Sequence, residues 1–435
     1  MADVTRRGLL AAGSVAGMSL ARGATGKPAL LGGTPLIARG AAAWPVFDEK
    51  EEKALVDVVR SGHWFRGNGE NVKRFEQTYA RVTGTKFCLA TSSGTGALQT
   101  SLAVLGAGPG DEVILAPYTF VATLNVILNM HALPVFVDSD LETAQIDAGK
   151  IEAAITNDTV AMIPVHLAGN VADLDAIMKI SKARNIPVIE DTCQSHLAEW
   201  RGKKAGSYGA AGCFSFQASK NLNCGEGGAI ITGDEDFYEK CFAYHWNGSG
   251  RNQKYADTMH GTKFLMTEFQ AAVLSTQLAR LEQQTAARER NARHLTSLLK
   301  EIPGIRPALQ YPGCTRNAYH GLVFRYEKER FANLPREKFL RALGAERVSA
   351  GAGYEPLNRR EYLKNALKSR GYQRIYSKQR LSQWEERNQC PANDRLCQEV
   401  VWLSPTTFLF DQAHMEQIAG AIARIQAHAG DLARL

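Results

Sequence analysis

Short apolar runs recur along the chain and end near a proline, an acidic residue or a threonine. They occupy residues 113–116, 135–137, 160–163, 188–189 and 229–232. Helical patterns separate several of these runs, which indicates βαβ units and a mostly parallel sheet. Functional residues cluster at the carboxyl ends of strands in such a sheet, so we expect a site among the polar residues that follow the runs.

Longer patterns predict helices around this sheet. One helix is expected over 48–61, where Gly62 closes it, and a long one over 268–300, which contains no glycine or proline. Residues 322–326 have the composition of a strand, and the tail at 414–435 has the pattern of a closing helix.

The length of the chain indicates two domains or one large enzyme domain with an appendage, because 435 residues exceed one typical hydrophobic core. We predict a large domain over 26–285, including an N-terminal arm, and a smaller C-terminal domain over 286–435. The patterns favour an α/β architecture for the first and an α+β architecture for the second.

The charge and cysteine patterns exclude several classes of partner. The net charge is +7, but the basic residues are scattered, and the densest cluster, at 287–293, contains Glu289, as is typical of a solvated helix face. We therefore expect no nucleic acid, although an anionic cofactor or substrate could use some of the excess. The eight cysteines form no C-x-x-C pair and no zinc spacing, so we expect no metal.

The N-terminus predicts export. Arg6 and Arg7 precede a weakly apolar stretch, and Ala21 offers a small-residue cleavage position. This order is typical of a twin-arginine signal over 1–25, which would place the protein in the periplasm. The alternative is a frayed basic tail on a cytoplasmic enzyme. No run elsewhere is long and apolar enough to span a membrane, so we expect no membrane partner.

Residues 92–98, Ser-Ser-Gly-Thr-Gly-Ala-Leu, precede a helical pattern. Bare backbone amides, hydroxyl groups and a helix N-terminus together hold a phosphate. Taken alone, the segment is more often an ordinary N-cap.

Two further segments add a carboxylate and an amine. Asp191 follows the run at 188–189, and Lys220 lies between an aromatic strand and a Gly-Glu-Gly-Gly turn. Alone, Asp191 could cap a helix, bind a metal or pair with a cation, and Lys220 could be a surface lysine before a hairpin. Together with the segment at 92–98, they supply the groups that pyridoxal phosphate (PLP) requires. These are a binding site for the phosphate, a carboxylate beside the pyridine nitrogen, and an amine that forms a Schiff base.

The chain from about 30 to 420 resembles the DegT/DnrJ/StrS-type sugar or cyclitol aminotransferases, a fold type I branch of the PLP enzymes. Six motifs carry the resemblance, at 92–98, 117–123, 164–169, 189–198, 215–232 and 267–278. It implies a fold type I PLP-transferase: a mostly parallel, seven-stranded-type sheet flanked by helices, with a smaller C-terminal α+β domain.

The resemblance also implies roles for individual residues. Lys220 would be the Schiff-base lysine and the acid–base catalyst, Asp191 would pair with the pyridine nitrogen, and Phe120 would stack on the ring. Gln194 would lie on the phenolic-oxygen side of the ring. The residues expected to hold the phosphate are Ser93, Gly94, Thr95 and Ser215, and those expected to line the substrate pocket are Gln217, His166 and Tyr354.

Two departures from the family pattern stand out. Lys263 occupies a position where relatives commonly carry an asparagine that reaches the phosphate of the neighbouring subunit. The resemblance therefore implies that Lys263 donates to that phosphate and that the protein is a homodimer with shared sites. Asn358 replaces a frequent histidine, and the basic segment 359–390 is expected to shape a distinctive pocket.

The function that follows is a ping-pong transfer of an amino group from glutamate or glutamine to a keto-sugar or keto-cyclitol. A sugar dehydratase is the first alternative, but those relatives carry histidine in place of the lysine, and Lys220 is present. A non-catalytic PLP- or sugar-binding sensor on the same fold is the second alternative, since fold alone does not fix function.

Overall fold

The structure is a computed structural model that describes residues 26–38, 40, 42–250 and 254–435, so the predicted signal at 1–25 lies outside the described residues. The strands are β1 (Phe87–Thr91), β2 (Glu112–Leu115), β3 (Leu133–Phe136), β4 (Thr159–Ile163), β5 (Ile189–Asp191), β6 (Glu199–Trp200), β7 (Lys203–Lys204), β8 (Ala211–Ser215), β9 (Gly228–Thr232), β10 (Ile305–Pro307), β11 (Cys314–Arg316), β12 (Leu322–Tyr326), β13 (Ala350–Gly351) and β14 (Val400–Leu403).

The α-helices lie before, between and after these strands. They are α1 (Glu49–Ser61), α2 (Asn71–Thr83), α3 (Gly94–Val104), α4 (Val121–Asn129), α5 (Ile151–Ala154), α6 (Leu174–Arg184), α7 (Glu235–His245), α8 (Glu268–Leu299), α9 (Arg336–Ala345), α10 (Glu361–Leu367), α11 (Arg370–Ile375), α12 (Lys378–Arg387), α13 (Pro391–Glu399), α14 (Gln412–Ala427) and α15 (Ala429–Arg434). None of them, in the described part of the chain, combines the length and apolar character needed to cross a bilayer.

Seven strands form the central sheet in the spatial order β3-β2-β4-β5-β8-β9-β1. Parallel bridges between Met162 and Val188 and between Val165 and Asp191 join β4 to β5. Among these seven strands, β9 runs antiparallel to both of its neighbours and the others run parallel. The predicted mostly parallel sheet flanked by helices is therefore confirmed.

Apolar side chains on both faces of the sheet hold its helices in place. On one face, Leu98 of α3 and Leu124 of α4 pack with Ile189 of β5 in a fully buried cluster. On the other face, Phe75 of α2 packs against Phe216, which follows β8. These contacts fix the N-termini of α3 and α4 beside the carboxyl end of β5.

A second, antiparallel sheet of order β10-β12-β14-β13 forms the C-terminal part of the chain. The long helix α8 contributes to both cores, because Leu274 packs with the central sheet and Leu295 with the second one. The domain boundary expected near residue 285 thus falls inside α8. The single helix predicted for the tail is wrong in one detail: the chain breaks at His428, where ψ is 16°, and continues as α15.

The basic segment at 359–390 folds into α10, α11 and α12, which cover the β3 edge of the central sheet. The hydroxyl of Tyr372 donates to the carbonyl of Ala132 at 2.8 Å, and the indole N–H of Trp384 donates to the carbonyl of Pro134 at 2.5 Å. Covering an edge strand removes unpaired backbone groups from solvent.

Candidate active site

A cavity of about 540 Å³ opens at the carboxyl ends of β5 and β8, beside the N-terminus of α3, and its size suits a cofactor with a bound substrate. Its lining residues are Ser93, Gly94, Thr95, Leu98, Thr119, Phe120, Ala122, Thr123, Val165, Asp191, Cys193, Gln194, Ser215, Gln217, Ser219, Lys220, Glu226, His320 and Tyr354. Ten of the twelve residues predicted from the sequence lie in this one place.

The N-terminus of α3 forms an anion cradle. Ser93 is the N-cap, and its hydroxyl accepts from the amide of Gly96 at 3.0 Å. Helix geometry leaves the first amides, those of Gly94 and Thr95, without intrahelical partners. A Cβ atom at Gly94 would lie 2.7 Å from the Cβ of Ser215 and 2.9 Å from the Sγ of Cys193, so a glycine is needed for α3 to begin this close to β8.

Asp191 ends β5 with a fixed carboxylate. Its Oδ2 accepts a hydrogen bond of 2.8 Å from the hydroxyl of Thr123, and its Oδ1 accepts one of 3.2 Å from the amide of Cys193. The residue is almost fully buried. A buried carboxylate with two donors keeps lone pairs for a further cationic N–H group in the cavity.

Lys220 lies in the loop between β8 and β9. Its amide donates to the carbonyl of Gln217 at 2.8 Å, and the next residue, Asn221, is tied to the carbonyl of Ala318 at 2.8 Å. Burial lowers the pKa of the Lys220 amine, although the neighbouring Cys193 and Asp191 oppose the shift. The lowered pKa raises the share of neutral amine, which is the nucleophilic form.

Gln194 and Tyr354 close the far wall of the cavity. The Oε1 atom of Gln194 accepts from the amide of Ala168 at 2.7 Å, and its Nε2 donates to the hydroxyl of Tyr354 at 2.9 Å. Phe120 stands at the mouth, 54% exposed, with its ring centre 6.5 Å from that of Tyr354. Its free ring face can cover a planar ligand.

His166 does not line the cavity, so the prediction that it lines the substrate pocket is wrong. The neighbouring Val165 lines the cavity, and side chains alternate along extended chain, so His166 points to the opposite side. Its Nε2 lies 2.9 Å from Oε2 of Glu190, and its Nδ1 accepts from the amide of Ala172 at 3.2 Å. Both His166 and Glu190 are fully buried.

Glu190 is a structural anchor behind Asp191. Its carboxylate also accepts from the amides of Gly206, Tyr208 and Gly209 at 2.7–2.8 Å. Burial disfavours the ionised form, but hydrogen bonds from His166 and from these backbone amides outweigh it and hold the pKa of Glu190 below its usual range.

Lys263 and the segment at 359–390 lie elsewhere. Lys263 is exposed and pairs with Trp246 through a β-bridge, outside the cavity of its own chain. No residue of 359–390 lines the cavity around Lys220; the segment lines a separate cavity instead. The reason is that its aromatic residues bind the β3 edge instead.

Sequence reasoning missed several residues of the cavity. Thr123 lies in the quoted motif at 117–123, but nothing local reveals its bond to a residue 68 positions away. Trp44 of the N-terminal arm donates to the carbonyl of Ala218 at 2.9 Å and so braces the Lys220 loop. The other lining residues without a predicted role include Cys193, Ser219, Glu226 and His320.

The residues present fit PLP and offer no alternative metal centre. The cradle, the carboxylate and the amine surround one cavity, and the absent side chain at Gly94 lets the amides at the start of α3 lie beside Ser215. Within residues 26–38, 40, 42–250 and 254–435, no group of three or more His, Cys, Asp or Glu side chains is arranged to hold a metal ion.

This chain is similar to known aminotransferases in sequence and in structure. The model of the DegT/DnrJ/EryC1/StrS aminotransferase family matches residues 45–423. L-glutamine:2-deoxy-scyllo-inosose aminotransferase of Streptoalloteichus tenebrarius is 35% identical over 424 residues, which cover 93% of this chain and 98% of that one. L-glutamine:scyllo-inosose aminotransferase of Streptomyces griseus is 38% identical over 335 residues, 73% of this chain and 78% of that one. The crystal structure of 3-amino-5-hydroxybenzoic acid synthase superposes with a TM-score of 0.79 at 31% identity, covering 89% of this chain and 99% of that one.

Proposed function

The chain belongs to the DegT/DnrJ/EryC1/StrS aminotransferase family, and we propose that it transfers the amino group of L-glutamine to a keto-cyclitol with PLP bound in the Lys220 cavity. The observation that carries the proposal is the convergence of Lys220, Asp191 and the α3 cradle on one cavity. The family match makes the chain an aminotransferase; the donor, the acceptor and the cofactor are the proposed parts.

The cavity offers a binding group for each part of the cofactor. The amides of Gly94 and Thr95 and the hydroxyls of Ser93 and Ser215 would hold the phosphate. Asp191 would pair with the pyridine nitrogen, and Phe120 would cover the ring. When bound, PLP supplies an aldehyde that condenses with amines and a protonated ring that withdraws electrons from the substrate carbon.

The side chains of this protein direct the proton movements. The neutral amine of Lys220 takes the proton from Cα of the amino donor in the first half-reaction and returns one to the acceptor carbon in the second. The carboxylate of Asp191, oriented by the hydrogen bond from Thr123, would hold a proton at the pyridine nitrogen through its negative charge. The hydrogen bond between Gln194 and Tyr354 fixes the wall of the cavity opposite Lys220.

The choice of donor and acceptor rests on the relatives and on the cavity walls. Two relatives that align with most of this chain are named for L-glutamine and for an inosose. Around Lys220 the cavity carries hydroxyl, amide and carboxylate groups, among them Ser219, Gln217 and Glu226, that can hydrogen-bond a polyhydroxylated ring.

A homodimer is the proposed assembly. Large apolar side chains are exposed on the arm, on α1 and on the segment that follows α1, and a second copy of this chain would cover them. They are Val46, Phe47, Leu55, Val56, Val59, Trp64 and Phe65. Lys263 lies outside its own cavity, so it is proposed to reach the phosphate in the partner.

Mixing two defective variants tests the shared site. Lys220→Ala and Lys263→Ala dimers should each have reduced activity, whereas random exchange of subunits should restore about a quarter of wild-type activity, because half of the dimers then hold one complete site. No restoration in samples that contain heterodimers would contradict the shared arrangement.

The proposed reaction is tested in two halves. Holoenzyme mixed with L-glutamine should lose the absorbance of bound PLP, and later addition of scyllo-inosose or 2-deoxy-scyllo-inosose should restore it and yield an aminocyclitol by mass spectrometry. Lys220→Ala should do neither, while Lys203→Ala, an exposed lysine on β7, should behave like wild type. Cofactor binding without either half-reaction, across a panel of amino acids, would instead support the sensor alternative.

A further inference from the structure

Positive charge is concentrated in residues 359–390. This segment carries nine Lys and Arg residues against three Glu residues, so its net charge of +6 accounts for nearly all of the +7 of the chain. Four of the nine form ion pairs: Arg359 with Asp394, Arg360 with Glu355, Arg380 with Asp158, and Arg387 with Glu112. The other five have no acidic partner within the described residues.

Two of the unpaired cations face a cavity between α10 and α12. Lys364 and Lys368 are four positions apart, so they share one side of the chain, and both line a space of about 540 Å³ together with Arg359. Like charges at this spacing repel each other. Glu385 is the single carboxylate among the lining residues, so it cannot neutralise the three cations. An anion in the cavity would relieve this repulsion.

The remaining walls suit the body of a polyol. Leu367, Leu381 and Trp384 form an apolar side, and the indole N–H of Trp384 is already bound to a backbone carbonyl. Amide and hydroxyl groups form the rest, contributed by Asn358, Gln373, Ser382, Asn388 and Gln389. Apolar ring faces beside amide groups are the surroundings in which hydroxylated rings bind.

We propose that this cavity is a second ligand site and that it binds a phosphorylated polyol, with the phosphate on Lys364 and Lys368 and the ring against Trp384. It shares no lining residue with the Lys220 cavity, so it is separate from the catalytic centre. Asn358 lies on its wall four residues after Tyr354, which lines the catalytic cavity, so a short stretch of chain connects the two sites.

Binding to the PLP-loaded enzyme tests the proposal, because the cofactor then fills the catalytic phosphate cradle. The probes for calorimetry are glucose 6-phosphate, inorganic phosphate and myo-inositol, which separate the phosphorylated polyol from the anion and from the uncharged ring. Glucose 6-phosphate should bind at least about tenfold more tightly than either of the others.

Matched charge removal locates the site. The Lys364→Gln/Lys368→Gln variant should weaken glucose 6-phosphate binding by about tenfold or more. Arg370→Gln/Arg374→Gln removes two exposed, unpaired cations at the same spacing outside the cavity and should change binding less than about twofold.

Three results would overturn the proposal: no saturable binding of glucose 6-phosphate, equal binding of inorganic phosphate, or equal losses in the two double variants. The first result would mean that the cavity is not a ligand site. The second would mean that it binds anions without recognising the polyol, and the third that binding depends only on the overall positive charge of the segment. All of them leave the aminotransferase reaction at Lys220 untouched, so the two proposals fail independently.

Discussion

Thr123 in the first turn of α4 donates a hydrogen bond of 2.8 Å to Oδ2 of Asp191 at the end of β5. The amide of Cys193 binds the other carboxylate oxygen at 3.2 Å. The helix α4 and the segment after β5 thus hold the Asp191 carboxylate in one orientation before a ligand binds. Pre-orientation of this kind lowers the cost of ordering a charged group during the reaction.

Asp191→Asn should slow both half-reactions by at least about 100-fold, because an amide cannot hold a proton at the pyridine nitrogen. Thr123→Val should cost less, about tenfold or below, because the carboxylate stays charged but loses one orienting bond. Rapid-mixing absorbance with L-glutamine measures both. Asp175→Asn, at a surface ion pair with Arg201, serves as the control; a similar loss there would contradict the assignment.

Tyr354 should act on the acceptor substrate through its hydroxyl. The amide of Ala168 can only donate, so it fixes Oε1 of Gln194 as the acceptor and Nε2 as the donor to Tyr354. The proton of the Tyr354 hydroxyl is therefore available to another acceptor. Burial raises the pKa of Tyr354 to about 12, so the hydroxyl keeps that proton at neutral pH.

Tyr354→Phe should accordingly raise the KM for the keto-cyclitol about tenfold and leave the half-reaction with L-glutamine nearly unchanged. Tyr326→Phe is the matched control, because its buried hydroxyl donates to the carbonyl of Leu334 at 2.8 Å and does not line the cavity. Steady-state kinetics with each substrate varied separate the two effects. Equal losses in both half-reactions would contradict a role specific to the acceptor.

Glu190→Gln should destabilise the fold by about 2–4 kcal/mol, because the new amide group would face backbone N–H donors in a buried site. Urea unfolding measures this. Glu152→Gln, at an exposed pair with Arg184, should cost under about 1 kcal/mol. A cost for Glu190→Gln no larger than that control would contradict the anchoring role.

The pH dependence of stability follows from the same anchor. The pKa of Glu190 is lowered in the fold, so its contribution is complete above the unfolded value and is lost as the pH falls through the folded value. Wild-type stability should therefore drop more steeply than that of Glu190→Gln at pH values below about 4.5. Parallel pH profiles for the two proteins would contradict this linkage.

Export by the twin-arginine route is proposed from the sequence, since 1–25 lies outside the described residues. Arg6→Lys/Arg7→Lys keeps the charge but should retain the protein in the cytoplasm of a bacterial host, whereas Arg22→Lys should not. Cell fractionation with immunodetection reads the outcome. The same distribution for all three forms would contradict a working signal.

The sequence predicted the parts of the site that depend on local order. In a parallel sheet the N-terminus of a helix and the carboxyl end of a strand lie at the same edge. The positions of Gly94 at the start of α3 and of Asp191 at the end of β5 could therefore be predicted from the sequence. The prediction that His166 lines the pocket is wrong, because the direction of its side chain depends on the alternation of side chains beyond the end of β4.

Contacts between distant residues carry no local signal. Gln194 and Tyr354 are 160 positions apart, and only the folded chain brings them within 2.9 Å. The basic composition of 359–390 does not reveal that the segment lies away from the Lys220 cavity. Its location is decided instead by Tyr372 and Trp384, whose polar groups reach the backbone beside β3.

The central claim is that Lys220 binds the cofactor beside Asp191. Reduction of the PLP-loaded protein with borohydride, followed by digestion and mass spectrometry, should place a pyridoxyl group on the peptide that contains Lys220, and Lys220→Ala should carry none at any position. A label on another lysine, or an unlabelled Lys220 in protein that has retained its cofactor, would contradict the account.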